Sequence, residues 1–112
     1  MGKIRVGDGN MVKKVNEKEF KELADKGLSV VDFSATWCGP CQMLAPIMEQ
    51  LSDEMPEVAF YNIDTDENQD IAMELQIRSI PAIHIFKDGK SVASTVGFQP
   101  KEMIKAFIEE NK

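Results

Sequence analysis

Cys38 and Cys41, separated by Gly39-Pro40, are the only two cysteines in the 112-residue chain. A CxxC pair serves either as half of a metal site or as a reversible dithiol. Structural zinc needs four ligands, and His84 is the only other cysteine or histidine. A bridge between residues so close in sequence would constrain the unfolded chain little, so stability is a poor reason for the pair. Reactivity is the better one. The pair follows an apolar segment, 28–33 (LSVVDF), and stands where a helix should open. A thiol in a helix's first turn faces unpaired backbone N–H groups and the positive end of the helix dipole, and both favour the thiolate. Cys38 is therefore expected to be the nucleophile. Cys41, one turn further in, is placed to resolve a mixed disulfide formed at Cys38.

Cys41 must lose a proton to attack. Asp32, flanked by Val30, Val31 and Phe33, is the only charge in its segment and the candidate base, with a pKa expected above the ordinary carboxylate range because burial penalises its charge. His84 reads as a packing residue of its strand and receives no role. Asp64, Asp66, Glu67 and Asp70 lack the glycine and ligand spacing of a calcium loop and read as a solvated turn.

These residues need elements to position them. Residues 11–15 read as a short strand, and Asn16 with Glu19 three positions on as a capping box that opens a helix. Phe20, Leu23 and Ala24 are expected on its buried face, with Gly27 ending it in a left-handed conformation. The 28–33 strand is followed by a helix over 38–54, in which Pro46 predicts a kink. Residues 58–63 (VAFYNI) form the next strand, giving a right-handed βαβ unit. A short helix ending near Leu75, a core strand at 81–86, a tight turn at Asp88-Gly89, a strand at 91–96 and a final amphipathic helix complete the pattern. That helix places Met103, Ile104, Phe107 and Ile108 on one face. Met43, Met48, Met73 and Met103 read as core gap-fillers, and Met1, Met11 and Met55 as residues of loops and ends. The expected architecture is α/β, a central mixed sheet with helices on both faces.

A formal net charge of -6 would repel nucleic acid and anionic membrane surfaces. No apolar run reaches the roughly 20 residues that span a bilayer, and residues 1–10 lack the apolar core of a signal peptide, so the expected location is the cytoplasm. Residues 1–10, with Gly2, Gly7 and Gly9, read as a flexible N-terminal extension, and 11–112 as one domain.

Phe33-Ser34-Ala35-Thr36-Trp37-Cys38-Gly39-Pro40-Cys41 after Val31-Asp32 resembles the thioredoxin signature. The resemblance continues through Ala45-Pro46, Asn62-Ile63-Asp64, Ser79-Ile80-Pro81 and Val96-Gly97, and covers the chain from Met11 onward. It implies the thioredoxin fold and a protein-disulfide reductase that works as a monomer, carries no cofactor and is itself re-reduced by a thioredoxin reductase drawing on NADPH. It further implies a cis Ile80-Pro81 bond against the sulfurs, with the backbone at Ile80 free to pair with an extended substrate. Trp37, Gly39, Pro40, Gly97 and Phe98 would shape the surrounding groove. An oxidant or isomerase of the same fold is the nearest rival, disfavoured because Gly39-Pro40 lacks the histidine common in oxidising relatives, and a non-redox binding module stays open. Three positions depart from common family usage. Gln42 stands for a frequent lysine or arginine, Ser34 for an aromatic, and Phe60 for a lysine that some members carry near the buried aspartate.

Overall fold

The computed structural model describes residues 12–112, so the reading of residues 1–10 as an extension lies outside it. Among the described residues, five strands, β1 (Val12–Lys14), β2 (Leu28–Ser34), β3 (Ala59–Asp64), β4 (Ala82–Lys87) and β5 (Lys90–Val96), form one sheet in the order β1-β3-β2-β4-β5. The β1–β3 and β3–β2 pairs are parallel, and the β2–β4 and β4–β5 pairs antiparallel. The central strand β2 is buried without interruption from Ser29 to Phe33, as a strand covered on both faces must be.

Four helices accompany the sheet: α1 (Glu17–Leu23), α2 (Gly39–Glu54), α3 (Gln69–Glu74) and α4 (Lys101–Glu110). On one face, Val30, Phe60, Ile83 and Ile85 pack against Leu44, Met48 and Leu51 of α2 and Ile104 and Ile108 of α4. On the other, Val31, Phe33, Tyr61, Ile63 and Phe86 pack against Phe20 of α1 and Ile71 of α3. The mixed sheet with helices on both faces is thus as expected. The capping box is present: Asn16 Oδ1 accepts from the Glu19 N–H (2.8 Å), and Glu19 Oε1 accepts from the Asn16 N–H (2.9 Å). Asp88 and Gly89 both take positive φ, 49° and 86°, the pairing that a two-residue hairpin with right-handed strand twist requires.

Several expectations about faces and ends fail. Leu23 is exposed, because α1 is only seven residues long and Phe20 and Ala24 suffice to cover their part of the sheet. The helix is capped at Ala24, and Gly27 (φ 84°) instead turns the chain into β2, its N–H donating to Asp88 Oδ1 at 2.8 Å. Met43, Met73 and Met103 face solvent, whereas Met48 is core; Met55, read as an end residue, is also buried in the core. Helix α2 continues through Pro46 without a break, as a helix that bends at a proline also does. Asp64 is buried and not solvated: its Oδ1 accepts from the N–H groups of Asp66 (2.8 Å) and Glu67 (3.3 Å), folding the turn back on itself.

Candidate active site

The sulfurs lie where β2 ends and α2 begins. Cys38 is the N-cap of α2, in extended conformation (φ -90°, ψ 109°), with Pro40 in the first turn, where its missing N–H costs nothing. Cys38 and Cys41 are joined as a disulfide with Cα atoms 5.3 Å apart, and both are only 4% exposed. The Cys38 sulfur accepts from the Cys41 N–H at 3.2 Å. No acidic residue occupies the helix's first turn, so nothing there offsets the positive helix end facing Cys38. Ala35, Cys38, Cys41 and half-buried Ile80 form a small apolar cluster of their own.

The Ile80-Pro81 bond is cis. The Ile80 carbonyl oxygen lies 3.9 Å from the Cys38 sulfur, which as a disulfide has no proton to donate, so this is a contact and not a hydrogen bond. The Pro81 carbonyl accepts from the Gly97 N–H at 2.7 Å, and Gly97 has φ 96°, a conformation that side chains disfavour. Trp37 is 70% exposed despite its size, and its indole N–H donates to Asp66 Oδ2 at 2.8 Å. Gly39, Pro40 and Phe98 are exposed too. The candidate residues around the sulfurs therefore come from the β2–α2 junction and from both ends of the β4–β5 hairpin.

Asp32 lies beneath this surface, 2% exposed. Desolvation pushes its pKa up from 3.8 to about 7, against the weaker opposing pull of a hydrogen bond from Asn62, which matches the expectation from sequence. Its Oδ1 is buried with no hydrogen-bond partner among the described residues. A cavity of about 280 Å³ adjoins it, lined by Asp32, Cys41, Ser34, Asn62, Lys14 and Glu49 among others. Phe60 is buried in the α2-facing core. No cation stands at that position, and burial dominates the Asp32 titration. Gln42 donates from Nε2 to the Thr36 carbonyl at 2.9 Å and so ties the motif's loop to α2.

Two residues of this neighbourhood escaped the chemical reading of the sequence. Asn62 is a polar residue inside an apolar strand, the same signal that marks Asp32. Asp66 carries no such signal, since only the folded turn brings it to Trp37 from 29 positions away. His84 is buried, its Nδ1 2.9 Å from the Ser91 hydroxyl and its ring edge-on to Phe33, and desolvation lowers its pKa. Among the described residues no group of histidine, cysteine, aspartate or glutamate side chains is placed to hold a metal, and no helix is long and apolar enough to cross a membrane.

A cysteine pair that opens a helix and is already closed as a disulfide, on a five-stranded mixed sheet of this order, defines a dithiol/disulfide oxidoreductase. The thioredoxin family profile matches residues 11–110. The chain is 42% identical to the thioredoxin of Staphylococcus saprophyticus over 99 residues, covering 88% of this chain and 95% of that one. It is 40% identical to a thioredoxin of Staphylococcus aureus over the same span. Among solved structures, Plasmodium falciparum thioredoxin superposes with a TM-score of 0.83 at 33% identity, covering 90% of this chain and 100% of that one. Oxidised mitochondrial thioredoxin 3 of Saccharomyces cerevisiae gives 0.81 at 32% identity, covering 93% and 99%. The chain belongs to the thioredoxin family, and its activity is thiol–disulfide exchange through its cysteine pair.

Proposed function

We propose that this exchange runs in the reducing direction on protein disulfides, with Cys38 as nucleophile, Cys41 as resolving thiol and Asp32 as the base that deprotonates Cys41. The Cys38 thiolate attacks one substrate sulfur; a Cys38–substrate bond forms, and the other substrate sulfur leaves as a thiolate and takes up a proton. Cys41 passes its proton to Asp32 and attacks the Cys38 sulfur. The intramolecular disulfide closes and the second substrate sulfur leaves, so the substrate gains the two electrons that the dithiol loses. The observation that carries this reading is the division of the two cysteines: Cys38 caps the helix, whereas Cys41 lines the cavity that adjoins Asp32, whose Oδ1 has no partner among the described residues.

The groove formed by Trp37, Gly39, Pro40, Ile80, Pro81, Gly97 and Phe98 would take an extended segment by backbone pairing at Ile80 and apolar contact. Re-reduction by a thioredoxin reductase, a monomeric state and a cytoplasmic location belong to the same proposal. Insulin reduction tests it, run first with dithiothreitol and then with NADPH and a thioredoxin reductase. Turnover in both is expected. Turnover with neither donor, or a redox potential against glutathione in the strongly oxidising range, would contradict it.

A further inference from the structure

The α2-facing positions of β2 and β3 change character along their length. On β2 they read Val30, Asp32, Ser34, and on β3 Phe60, Asn62, Asp64, with Asp32 paired in register to Asn62. The apolar members join the core, and the polar members collect at the C-terminal strand ends beside the cysteine motif. Asn62 is central to this group. Its Nδ2 donates to Ser34 Oγ at 2.9 Å, to the Asp32 backbone carbonyl at 3.1 Å and to Asp32 Oδ2 at 3.4 Å. One amide group with two protons thus serves three acceptors, and the longest contact is the one to the carboxyl. A charged acceptor draws donors closer than a neutral one, so this contact has the most to gain when Asp32 ionises.

We propose that Asn62, anchored by Ser34, is a positioning residue for the resolving step. Its amide holds Asp32 Oδ2, leaves Oδ1 as the oxygen free to take the Cys41 proton, and stabilises the carboxylate that must be present before that proton can move. The proposal rests on Asp32 being the base. Phe60, on the same face of β3, offers the carboxyl no donor, and Asn62 offers a neutral one. The other titratable groups lining the cavity are Lys14 from β1 and Cys41 and Glu49 from α2; from β4, the register partner of Asp32 is apolar Ile83. Burial raises the carboxyl's pKa and the Asn62 bond opposes that rise, the direction that the geometry requires.

Asn62→Leu keeps the branching of the side chain, at a somewhat larger volume, and removes the donor. The Asp32 carboxyl resonance, followed by NMR in the oxidised protein, should then titrate about half to one pH unit higher than in the unmodified chain. The resolving step can be timed as the second thiolate released when reduced protein meets an aromatic disulfide with a coloured leaving group. It should slow about two- to fivefold near pH 7 in Asn62→Leu, and the deficit should shrink toward pH 9, where Asp32 is ionised in either protein. A purely structural loss would be the same at both. Ser34→Ala should shift the titration in the same direction by less. In the unmodified protein the Asn62 side-chain amide resonances should move with the Asp32 midpoint, a measurement that stands even if Asn62→Leu does not fold.

An Asp32 midpoint that is unmoved or lowered in Asn62→Leu, or amide resonances indifferent to Asp32, would overturn the proposal. Asp32→Asn separates it from the reading beneath it. A resolving step with the same pH profile in that variant removes the base assignment, whereas a profile governed by Asp32 but insensitive to Asn62 removes only the positioning role.

Discussion

Asp32 and His84 are buried titratable residues on adjacent strands, one register step apart, and they point to opposite faces of the sheet. Desolvation pushes both toward their neutral forms, raising the acid and lowering the base. Their surroundings differ. His84 is edge-on to Phe33 and bonded to Ser91, in a face filled by aromatic packing with Phe20 and Phe86. Asp32 keeps one oxygen without a partner and adjoins a cavity. A polar group that has been satisfied belongs to the packing. One left unsatisfied at a cost of ~1–3 kcal/mol calls for another explanation, and the neighbouring cysteine supplies it.

The two faces therefore respond oppositely to pH. Asp32 has its pKa raised on folding, so its contribution to stability is complete below 3.8 and is lost as pH rises to about 7. That span corresponds to about 4 kcal/mol. Asp32→Ala should therefore stabilise the oxidised protein above pH 7 by up to about 4 kcal/mol, less the cost of truncation, in urea unfolding, while slowing exchange. If the variant were no more stable above pH 7 than at pH 4, relative to the unmodified chain, burial would not be what raises this carboxyl.

The opposite face should behave as ordinary core. Phe20→Ala should cost about 3 kcal/mol through lost packing, without moving the Asp32 midpoint. A moved midpoint would mean that the two faces are coupled. His84 has its pKa lowered on folding, so its contribution is complete above 6.5 and is lost as pH falls below that value. Ser91→Ala, which removes the ring's hydroxyl partner, should cost about 1 kcal/mol by thermal unfolding and leave the pH profile of exchange unchanged. An altered profile would give His84 a role in the chemistry.

What was legible in the sequence follows the same division. Cys38, Cys41 and Asp32 announce themselves because each is a costly residue in its place: a thiol pair too close to staple anything, and a charge in a buried strand. The capping box and the Asp88-Gly89 turn were legible because both are local. Leu23, Met43, Met73 and Met103 face solvent because helical spacing defines a stripe but not its width; in the two short helices the buried stripe narrows to Phe20 and Ile71 alone. The place of Gly27 at the entry to β2 has no local sign, because the Asp88 carboxylate that binds its N–H lies 61 positions away. Asn62 could have been marked by the reasoning applied to Asp32, but its partners become visible only once β2 and β3 are in register.

The central claim is that Cys38 attacks and Cys41 resolves, and trapping tests it most directly. Reduced Cys41→Ser, incubated with a disulfide-containing protein such as insulin, should accumulate a mixed disulfide mapped by mass spectrometry to Cys38. Cys38→Ser should accumulate little, because the remaining thiol sits one turn inside the helix and faces the cavity beside Asp32, whereas Cys38 caps the helix end. Equal trapping by the two variants, or trapping through Cys41 alone, would contradict the assignment.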